Sequence, residues 1–122
     1  MTKILIAEDD LMISEIYQRK FLEKGYEVLT AFSGDQVVEI VKKQAVDIVL
    51  LDLLIPKMDG FSVIENLRKG NHDQNIKIIV SSNLSQKEDR DKVMALGANG
   101  FITKSQYTPS EMVEEIKRLT GE

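Results

Sequence analysis

Short apolar runs alternate with longer amphipathic runs along the chain, and this pattern repeats five times. The apolar runs are nearly continuous Ile, Leu and Val, which indicates strands that are buried on both faces of a sheet. Because helical spacing fills the intervals, the order of elements favours βα units and one parallel sheet covered by helices on both faces. The predicted strands cover residues 3–8, 27–31, 47–52, 76–82 and 100–104.

The amphipathic runs predict a helix after each strand, over roughly residues 11–24, 34–44, 60–69, 86–96 and 109–120. Capping-box spacing marks the start of the last two helices, at Ser85 with Glu88 and at Thr108 with Glu111. The fourth helix begins with the polar run SQKEDRDK and becomes apolar only near Val93. We therefore expect its first half to be weakly held by the core.

Length and charge restrict the class of protein. The chain has 122 residues, 43% of them hydrophobic, which predicts one domain with a modest core. A formal net charge of -4 argues against a general nucleic-acid binder. The absence of Cys excludes disulfides and thiolate chemistry and fits a cytoplasmic location. With no apolar run of membrane-spanning length and no signal-peptide pattern, we expect an unanchored soluble protein.

Polar side chains gather at the carboxyl ends of the predicted strands. They are Glu8, Asp9 and Asp10 after the first strand, Asp52 after the third, Ser81 and Ser82 after the fourth and Lys104 after the fifth. Open α/β sheets bind ligands at this edge, so these residues are candidates for a site. Some have ordinary alternatives: Asp10 as a helix cap, Ser82 as a loop hydroxyl and Lys104 as a solvated or ion-paired lysine.

The carboxylates Glu8, Asp9 and Asp52 have no equally simple structural explanation. Clustered carboxylates disfavour each other's ionisation unless a cation joins them. Mg²⁺ is typically held by one or two carboxylates, with waters and a phosphate oxygen completing its coordination. The acidic cluster therefore predicts a Mg²⁺ site, where phosphate binds only together with the metal.

Four motifs occur in order: the acidic pair ED at 8–9, DLLIPKMDG at 52–60, a serine ending the fourth strand and ITK at 102–104. Together they resemble the receiver domain of bacterial two-component response regulators, the CheY-like family, and the resemblance covers the whole chain. It implies the flavodoxin-like (βα)5 fold, a doubly wound parallel sheet with strand order 2-1-3-4-5. We expect a single receiver domain over residues 1–122, with no output domain.

The resemblance assigns metal-binding roles by position. Glu8 and Asp9 match the acidic pair of the family, with Asp9 as the direct ligand and Glu8 acting largely through water. Asp52 matches the phosphoacceptor and also binds the metal. The third metal contact in the family is a backbone carbonyl, which falls here on Leu54.

The resemblance also assigns the residues that contact the phosphoryl group. Ser82 matches the switch hydroxyl, and Ser81 is the alternative because one register slip would exchange the two. Lys104 matches the lysine that bridges to the phosphoryl oxygens. Phe101 occupies the switch-aromatic position, with simple packing at the sheet edge as its alternative.

The implied activity is Mg²⁺-dependent transfer of a phosphoryl group from a phosphohistidine to Asp52, in a signalling domain rather than a turnover enzyme. The donor would be a sensor histidine kinase or a histidine phosphotransfer protein, and the signal would pass to an unidentified downstream protein. Switching would follow if Ser82 moved to the new oxygens and Phe101 turned inward. We expect a monomer or weak dimer, with no direct nucleic-acid contact and no membrane insertion.

The sequence departs from the family pattern beside the predicted site. The residue after Lys104 is Ser105, where the family usually has Pro, often in a cis bond. A non-Pro cis bond costs about 3 kcal/mol, so this bond is either trans or held under strain. Asn83 replaces a small Ala or Gly, and it would either narrow access to the phosphoryl group or hold a water.

A docking surface for the phosphodonor is predicted beside the pocket. Leu11, Met12 and Ile55 fall outside the expected core stripe of the first helix, which is Ile13, Ile16 and Phe21. Exposed apolar residues around a site suggest a docking surface, and Ser105 is assigned to it as well. The alternative is that isolated apolar residues are normal on protein surfaces.

Two other functions share parts of this pattern. A pseudo-receiver would have the same fold and act only as a non-phosphorylated interaction module, but here all the site positions are filled. A phosphohydrolase of the haloacid dehalogenase type would need a second Asp two residues after Asp52, where this chain has Leu54.

Overall fold

The computed structural model describes residues 1–70, 75–83 and 86–121. Its elements in chain order are β1 (Lys3–Ala7), α1 (Leu11–Glu23), β2 (Glu27–Ala31), α2 (Gly34–Lys43), β3 (Ile48–Leu51), α3 (Gly60–Lys69), β4 (Lys77–Ser82), α4 (Lys87–Leu96), β5 (Gly100–Thr103), a 3₁₀ turn (Lys104–Gln106) and α5 (Pro109–Thr120). The strands form one parallel sheet in the order β2-β1-β3-β4-β5. The flavodoxin-like fold predicted from the sequence is therefore confirmed.

The core has two layers because successive strand residues point to opposite faces of the sheet. In β1, Leu5 packs with helices α2, α3 and α4, whereas Ile4 and Ile6 pack with α1 and α5. Each of these three side chains is fully buried. Full burial of such a side chain stabilises the fold by about 1.5–3 kcal/mol, so the two layers together hold the strand ends in fixed positions.

The buried face of α1 differs from the predicted stripe. Phe21 is buried and Ile13 is partly buried, but Ile16 is 42% exposed, so its assignment to the core was wrong. The buried face instead runs through Ser14, Tyr17 and Phe21. Because consecutive helical residues are rotated by about 100°, a face through Tyr17 turns Ile16 toward the side of the helix.

The first helix and the last helix begin at the N-cap residues that the sequence offered. Asp10 is the N-cap of α1 and accepts hydrogen bonds from the backbone N–H groups of residues 12 and 13, which confirms its capping alternative. Thr108 and Glu111 form the predicted reciprocal capping box of α5. Ser85, from the other predicted box, lies outside the described residues. The N-cap of α4 is Gln86, and its side chain makes no capping hydrogen bond.

The segment between β3 and α3 packs closely beneath the carboxyl edge of the sheet. Leu53 and Ile55 point into the core, at 2% and 5% exposure, while Leu54 between them is 66% exposed. A Cβ added at Gly60 would lie 2.7 Å from the Cα of Leu53, so only glycine allows this approach. The tight packing fixes the chain that follows Asp52. Along the part of the chain that is described, no helix is both long and apolar enough to cross a membrane.

Candidate functional site

Acidic and basic side chains meet at the carboxyl edge of the sheet. Glu8 directly follows β1 and Asp52 directly follows β3, and these two strands are neighbours at the centre of the sheet. Their backbones are fixed by the sheet, since the Glu8 N–H donates to the Ala31 carbonyl and the Asp52 N–H to the Ala7 carbonyl, each at 3.1 Å. The sequence placed both residues at the ends of the strands, and the structure places them one residue beyond.

Lys104 joins the two carboxylates. Its Nζ lies 2.9 and 3.0 Å from the two oxygens of Glu8 and 2.9 Å from Oδ2 of Asp52. The side chains are 13% exposed in Lys104, 4% in Glu8 and 13% in Asp52. Charge-assisted hydrogen bonds of this kind are strong where water is largely excluded. The other oxygen of Asp52, Oδ1, accepts a 3.0 Å hydrogen bond from the Leu54 N–H, which fixes the rotation of the carboxylate.

Burial changes the proton affinity of this cluster. It raises the pKa of Glu8 to about 7, and the hydrogen bond with Asp52 adds to this, outweighing the opposite effect of Lys104. For Lys104, burial lowers the pKa, but hydrogen bonds to Asp52 and Glu8 outweigh it and leave the pKa above its ordinary value. The ammonium therefore stays charged, and one lysine incompletely compensates two neighbouring carboxyl groups.

The three predicted metal-binding carboxylates lie together. Glu8, Asp9 and Asp52 each offer an oxygen, and these oxygens lie within 4.8 Å of one another. Their oxygens suit a hard divalent cation such as Mg²⁺. Asp9 is exposed, whereas both oxygens of Glu8 already accept hydrogen bonds from Lys104. The carbonyl contact assigned to Leu54 stays a prediction.

The two serines at the end of β4 face opposite sides of the sheet. Ser81 and Ser82 are both 1% exposed. The Ser81 hydroxyl has no hydrogen-bond partner, and it borders a narrow space shared with Glu8, Asp52 and Lys104. Ser82 continues the opposite face, which carries Val80. Ser81 therefore borders the site, and the choice of Ser82 as the phosphoryl-binding hydroxyl stays a prediction.

Comparison with known proteins identifies this arrangement. The family model described as the response regulator receiver domain matches residues 4–117. The chain belongs to this family. It is 34% identical over 117 residues to the probable transcriptional regulator ycf27 of Porphyridium aerugineum, a match that covers 96% of this chain and 47% of that relative. The chain spans about half the length of the curated relatives it matches.

Solved structures agree with the receiver fold. The receiver domain of Francisella response regulator 1452 is 27% identical, with a TM-score of 0.88 and coverage of 99% of this chain and 98% of that one. The receiver domain of the sensor histidine kinase PA1611 from Pseudomonas aeruginosa PAO1 is 24% identical, with a TM-score of 0.86 and the same coverage. That second protein has a magnesium ion coordinated in its active-site cleft, but at its level of identity the likeness shows only the fold.

Phe101, the predicted switch aromatic, lies close to helix α4. Phe101 is partly buried in β5, opposite Val80 of β4. The Cζ of Arg90 lies 5.1 Å from the centroid of the Phe101 ring, within the range of a cation–π contact. Sequence reasoning did not single out Arg90, since nothing in the polar run of α4 distinguishes one charged residue from another. The switch role of Phe101 stays a prediction.

The departures from the family pattern contact each other. Among the described residues no peptide bond is cis, so the bond between Lys104 and Ser105 is trans. The backbone N–H of Ser105 donates to Oδ1 of Asn83 at 3.0 Å. The peptide bond after Lys104 is thus trans, whereas the predicted effect of Asn83 on phosphoryl access or on a bound water stays untested. No sequence signal linked these two residues, which lie 22 positions apart.

Three of the four residues predicted for the docking surface are exposed, and docking itself stays a prediction. Leu11 and Met12 are 66% and 74% exposed, and Ser105 is exposed. Ile55 was wrongly assigned to this surface, because it points into the core beside Leu53 and is only 5% exposed. Ile16 is 42% exposed and lines an open groove beside the site together with Ile13, Asn83, Ser105 and Pro109.

Proposed function

We propose that this receiver accepts a phosphoryl group on Asp52 from a phosphohistidine. The observation that carries the proposal is the contact of 2.9 Å between Lys104 Nζ and Asp52 Oδ2, with the acidic residues Glu8 and Asp9 beside it. A carboxylate beside a cation and a set of carboxylate oxygens is what phosphoryl transfer to an aspartate requires.

In the reaction, a carboxylate oxygen of Asp52 forms a bond to phosphorus while the bond between phosphorus and the imidazole nitrogen breaks. The electron pair of the broken bond stays on that nitrogen, and the phosphoryl oxygens keep their negative charge. Lys104 is already in contact with Asp52 and offsets part of this charge. The Leu54 N–H keeps Asp52 in one orientation during the transfer.

Asp9 and Asp52 would hold Mg²⁺ directly, with Glu8 acting through water and through Lys104. When bound, Mg²⁺ supplies positive charge that offsets the negative charge of the phosphoryl oxygens. Burial and the hydrogen bond with Asp52 raise the pKa of Glu8, and a cation bound at the cluster would favour its ionised form. The hydroxyl of Ser82, or that of Ser81 from the same strand end, donates a hydrogen bond to a phosphoryl oxygen.

The signal leaves the site through α4 and β5. In the proposed switch, Ser82 moves toward the phosphoryl oxygens and the following loop moves with it. Phe101 then turns inward and loses its contact with Arg90. The weak burial of α4, in which only Val93 is buried, supports this proposal because little apolar packing opposes the movement.

The phosphodonor in this proposal is a helical domain of a sensor histidine kinase or a phosphotransfer protein. Leu11, Met12 and Ile16 are exposed on one end of α1 beside the site, and an apolar helix face would pack on them. The phosphorylated receiver then acts as a monomer or weak dimer on a downstream protein. The net charge of -4 supports protein rather than nucleic-acid contacts by this domain.

The proposal is tested by the intact mass of the protein after incubation with Mg²⁺ and a small phosphodonor such as acetyl phosphate. We expect a gain of one phosphoryl group that requires Mg²⁺ and is absent in Asp52→Asn. No gain in the wild type would favour a pseudo-receiver, and rapid turnover of many phosphoesters would favour a hydrolase. A gain that persists in Asp52→Asn would place the phosphoryl group elsewhere.

A further inference from the structure

Two loops meet beside the Asp52 site, one after β4 and one after β5. Their described contact is the hydrogen bond from the Ser105 N–H to Oδ1 of Asn83, at 3.0 Å. Asn83 directly follows Ser82, and Ser105 directly follows Lys104. The bond therefore connects the residues that adjoin the proposed hydroxyl and ammonium of the site.

The Ser105 N–H belongs to the start of the 3₁₀ turn Lys104–Gln106. The first N–H groups of a helical turn have no partner within the turn, so they need an acceptor from elsewhere. Asn83 supplies that acceptor with a side chain long enough to cross between the loops. In this way the backbone immediately after Lys104 is fixed to the loop after β4, while the Lys104 side chain contacts Asp52 and Glu8.

The two departures from the family pattern are chemically complementary. A proline at position 105 would have no N–H to donate, and an alanine or glycine at position 83 would have no side-chain acceptor. Here both are replaced, one by a residue that donates and the other by a residue that accepts. Neither substitution alone would create the contact.

We infer that Asn83 is a positioning residue, which holds Lys104 against Asp52 by accepting the Ser105 N–H. This inference rests on the proposed function, because it concerns the rate at which Asp52 is phosphorylated. The contact couples the end of β4, where Ser82 lies, to the turn that begins at Lys104.

The test measures the rate of phosphorylation by a small phosphodonor at saturating Mg²⁺, in variants that separate hydrogen bonding from size. Asn83→Ala removes the acceptor and the bulk, whereas Asn83→Leu removes the acceptor but keeps a side chain of similar size. If the hydrogen bond positions Lys104, both variants slow phosphorylation by about three- to tenfold, the range expected for one hydrogen bond. If Asn83 acts by narrowing access, Asn83→Leu resembles the wild type and Asn83→Ala is faster, and the inference is overturned.

A second arm uses the partner of the bond. Asn83→Ala is compared in two backgrounds, Ser105→Ala, which keeps the backbone N–H, and Ser105→Pro, which removes it. We expect the full slowing in the first background and no further slowing in the second. Equal slowing in both backgrounds would show that Asn83 acts through another contact and would overturn the inference.

Amide hydrogen exchange at Ser105 gives a readout that does not depend on phosphorylation or on folding of the proline variant. The Ser105 N–H exchanges slowly in the wild type and faster in Asn83→Ala and Asn83→Leu, while the N–H groups of β1 stay protected. Unchanged exchange at Ser105 would overturn the inference. If the wild type and both Asn83 variants are phosphorylated equally fast, this inference alone is contradicted. If the wild type takes up no phosphoryl group, the proposed function is contradicted as well.

Discussion

The Asp52 site and helix α4 are held in place by different kinds of interaction. In the site, Lys104 contacts Glu8 and Asp52 at 2.9 Å, and no side chain of the three is more than 13% exposed. In α4 only Val93 is buried, and the N-cap makes no side-chain hydrogen bond. The site is therefore held by short contacts between buried charges, whereas α4 is held by little apolar packing, and we expect α4 to move at little cost in free energy.

The two ends of α4 also differ from each other. Arg90 and Lys92 contact their neighbours through cation–π geometry, at 5.1 Å over Phe101 and 4.2 Å over Phe61. The C-terminal end is held by Arg68, which donates to the Gly97 carbonyl at 2.9 Å, to the Ile76 carbonyl and to the Asn99 side chain. We therefore expect α4 to move mainly at its N-terminal end.

The largest effect is expected from Lys104→Met, which leaves two buried carboxyl groups without their cation. Phosphorylation of Asp52 should fall below detection, and the free energy of unfolding should decrease by about 2–3 kcal/mol. Urea unfolding measures the second effect. The control is Lys43→Met, which removes an exposed lysine paired with Glu39 and should change stability by less than about 0.5 kcal/mol. Equal losses in the two variants would show that the site is not held by its ion pairs.

Arg68→Ala is expected to come next, because it leaves the Gly97 and Ile76 carbonyls without their side-chain donor. We expect a loss of about 1–2 kcal/mol in urea unfolding, with faster amide exchange at the C-terminal end of α4. Arg118 is a matched control, since it is exposed and pairs only with the nearby Glu115 among its described contacts. If Arg118→Ala cost as much as Arg68→Ala, the proposed fixed end of α4 would be wrong.

Mg²⁺ binding should depend on pH through Glu8. Its pKa in the folded protein is raised from 4.5 to about 7, so a proton must leave when Mg²⁺ binds at lower pH. The association constant should rise by up to about tenfold per pH unit below pH 7 and level off above it. Calorimetric titration at several pH values checks this, and Glu8→Gln should flatten the dependence. The same slope in Glu8→Gln would assign the proton to another group.

In the absence of metal, the contribution of Glu8 to the free energy of unfolding should fall as the pH rises, which is opposite to the trend for Mg²⁺ affinity. Between the unfolded pKa near 4.5 and the folded pKa near 7, the folded protein binds more protons than the unfolded chain. Glu8 therefore contributes stability that is full below the lower value and is lost as the pH rises through the upper value. Saturating Mg²⁺ should offset this loss, which would be visible as a larger thermal shift at pH 8 than at pH 6.

The smallest effect is expected from Arg90→Gln, which removes the cation over Phe101. An exposed cation–π contact contributes about 0.5–1 kcal/mol, so global stability should change little. Amide exchange in the first turns of α4 should instead increase, while the N–H of Asp52 stays protected. If amide exchange increased equally in the first turns of α4 and at Asp52, α4 and the site would form one rigid unit.

The strands, and the residues that lie at their carboxyl ends, could be predicted from the sequence. Apolar runs predicted all the strands, and parallel strands bring Glu8, Asp52 and Lys104 to one edge. Ile55 and Ile16 were misassigned because their exposure depends on orientation. The chain after Asp52 continues to alternate inward and outward, which buries Ile55, and a modest rotation of α1 exposes Ile16.

Contacts between loops could not be predicted in the same way. The Asn83 to Ser105 bond and the three hydrogen bonds of Arg68 join residues with no periodic spacing between them. Such bonds depend on the separation of two loops in the folded chain, and hydrophobic patterning carries no information on that distance.

Chemical trapping of the acyl phosphate tests the role of Asp52 most directly. After incubation with Mg²⁺ and a small phosphodonor, borohydride reduction converts an aspartyl phosphate into homoserine, which peptide mass mapping locates. The proposed function predicts homoserine at position 52 and unmodified Glu8 and Asp9, with no conversion when Mg²⁺ is removed. Conversion at Asp9 instead, or none at Asp52 in a fully folded protein, would contradict it.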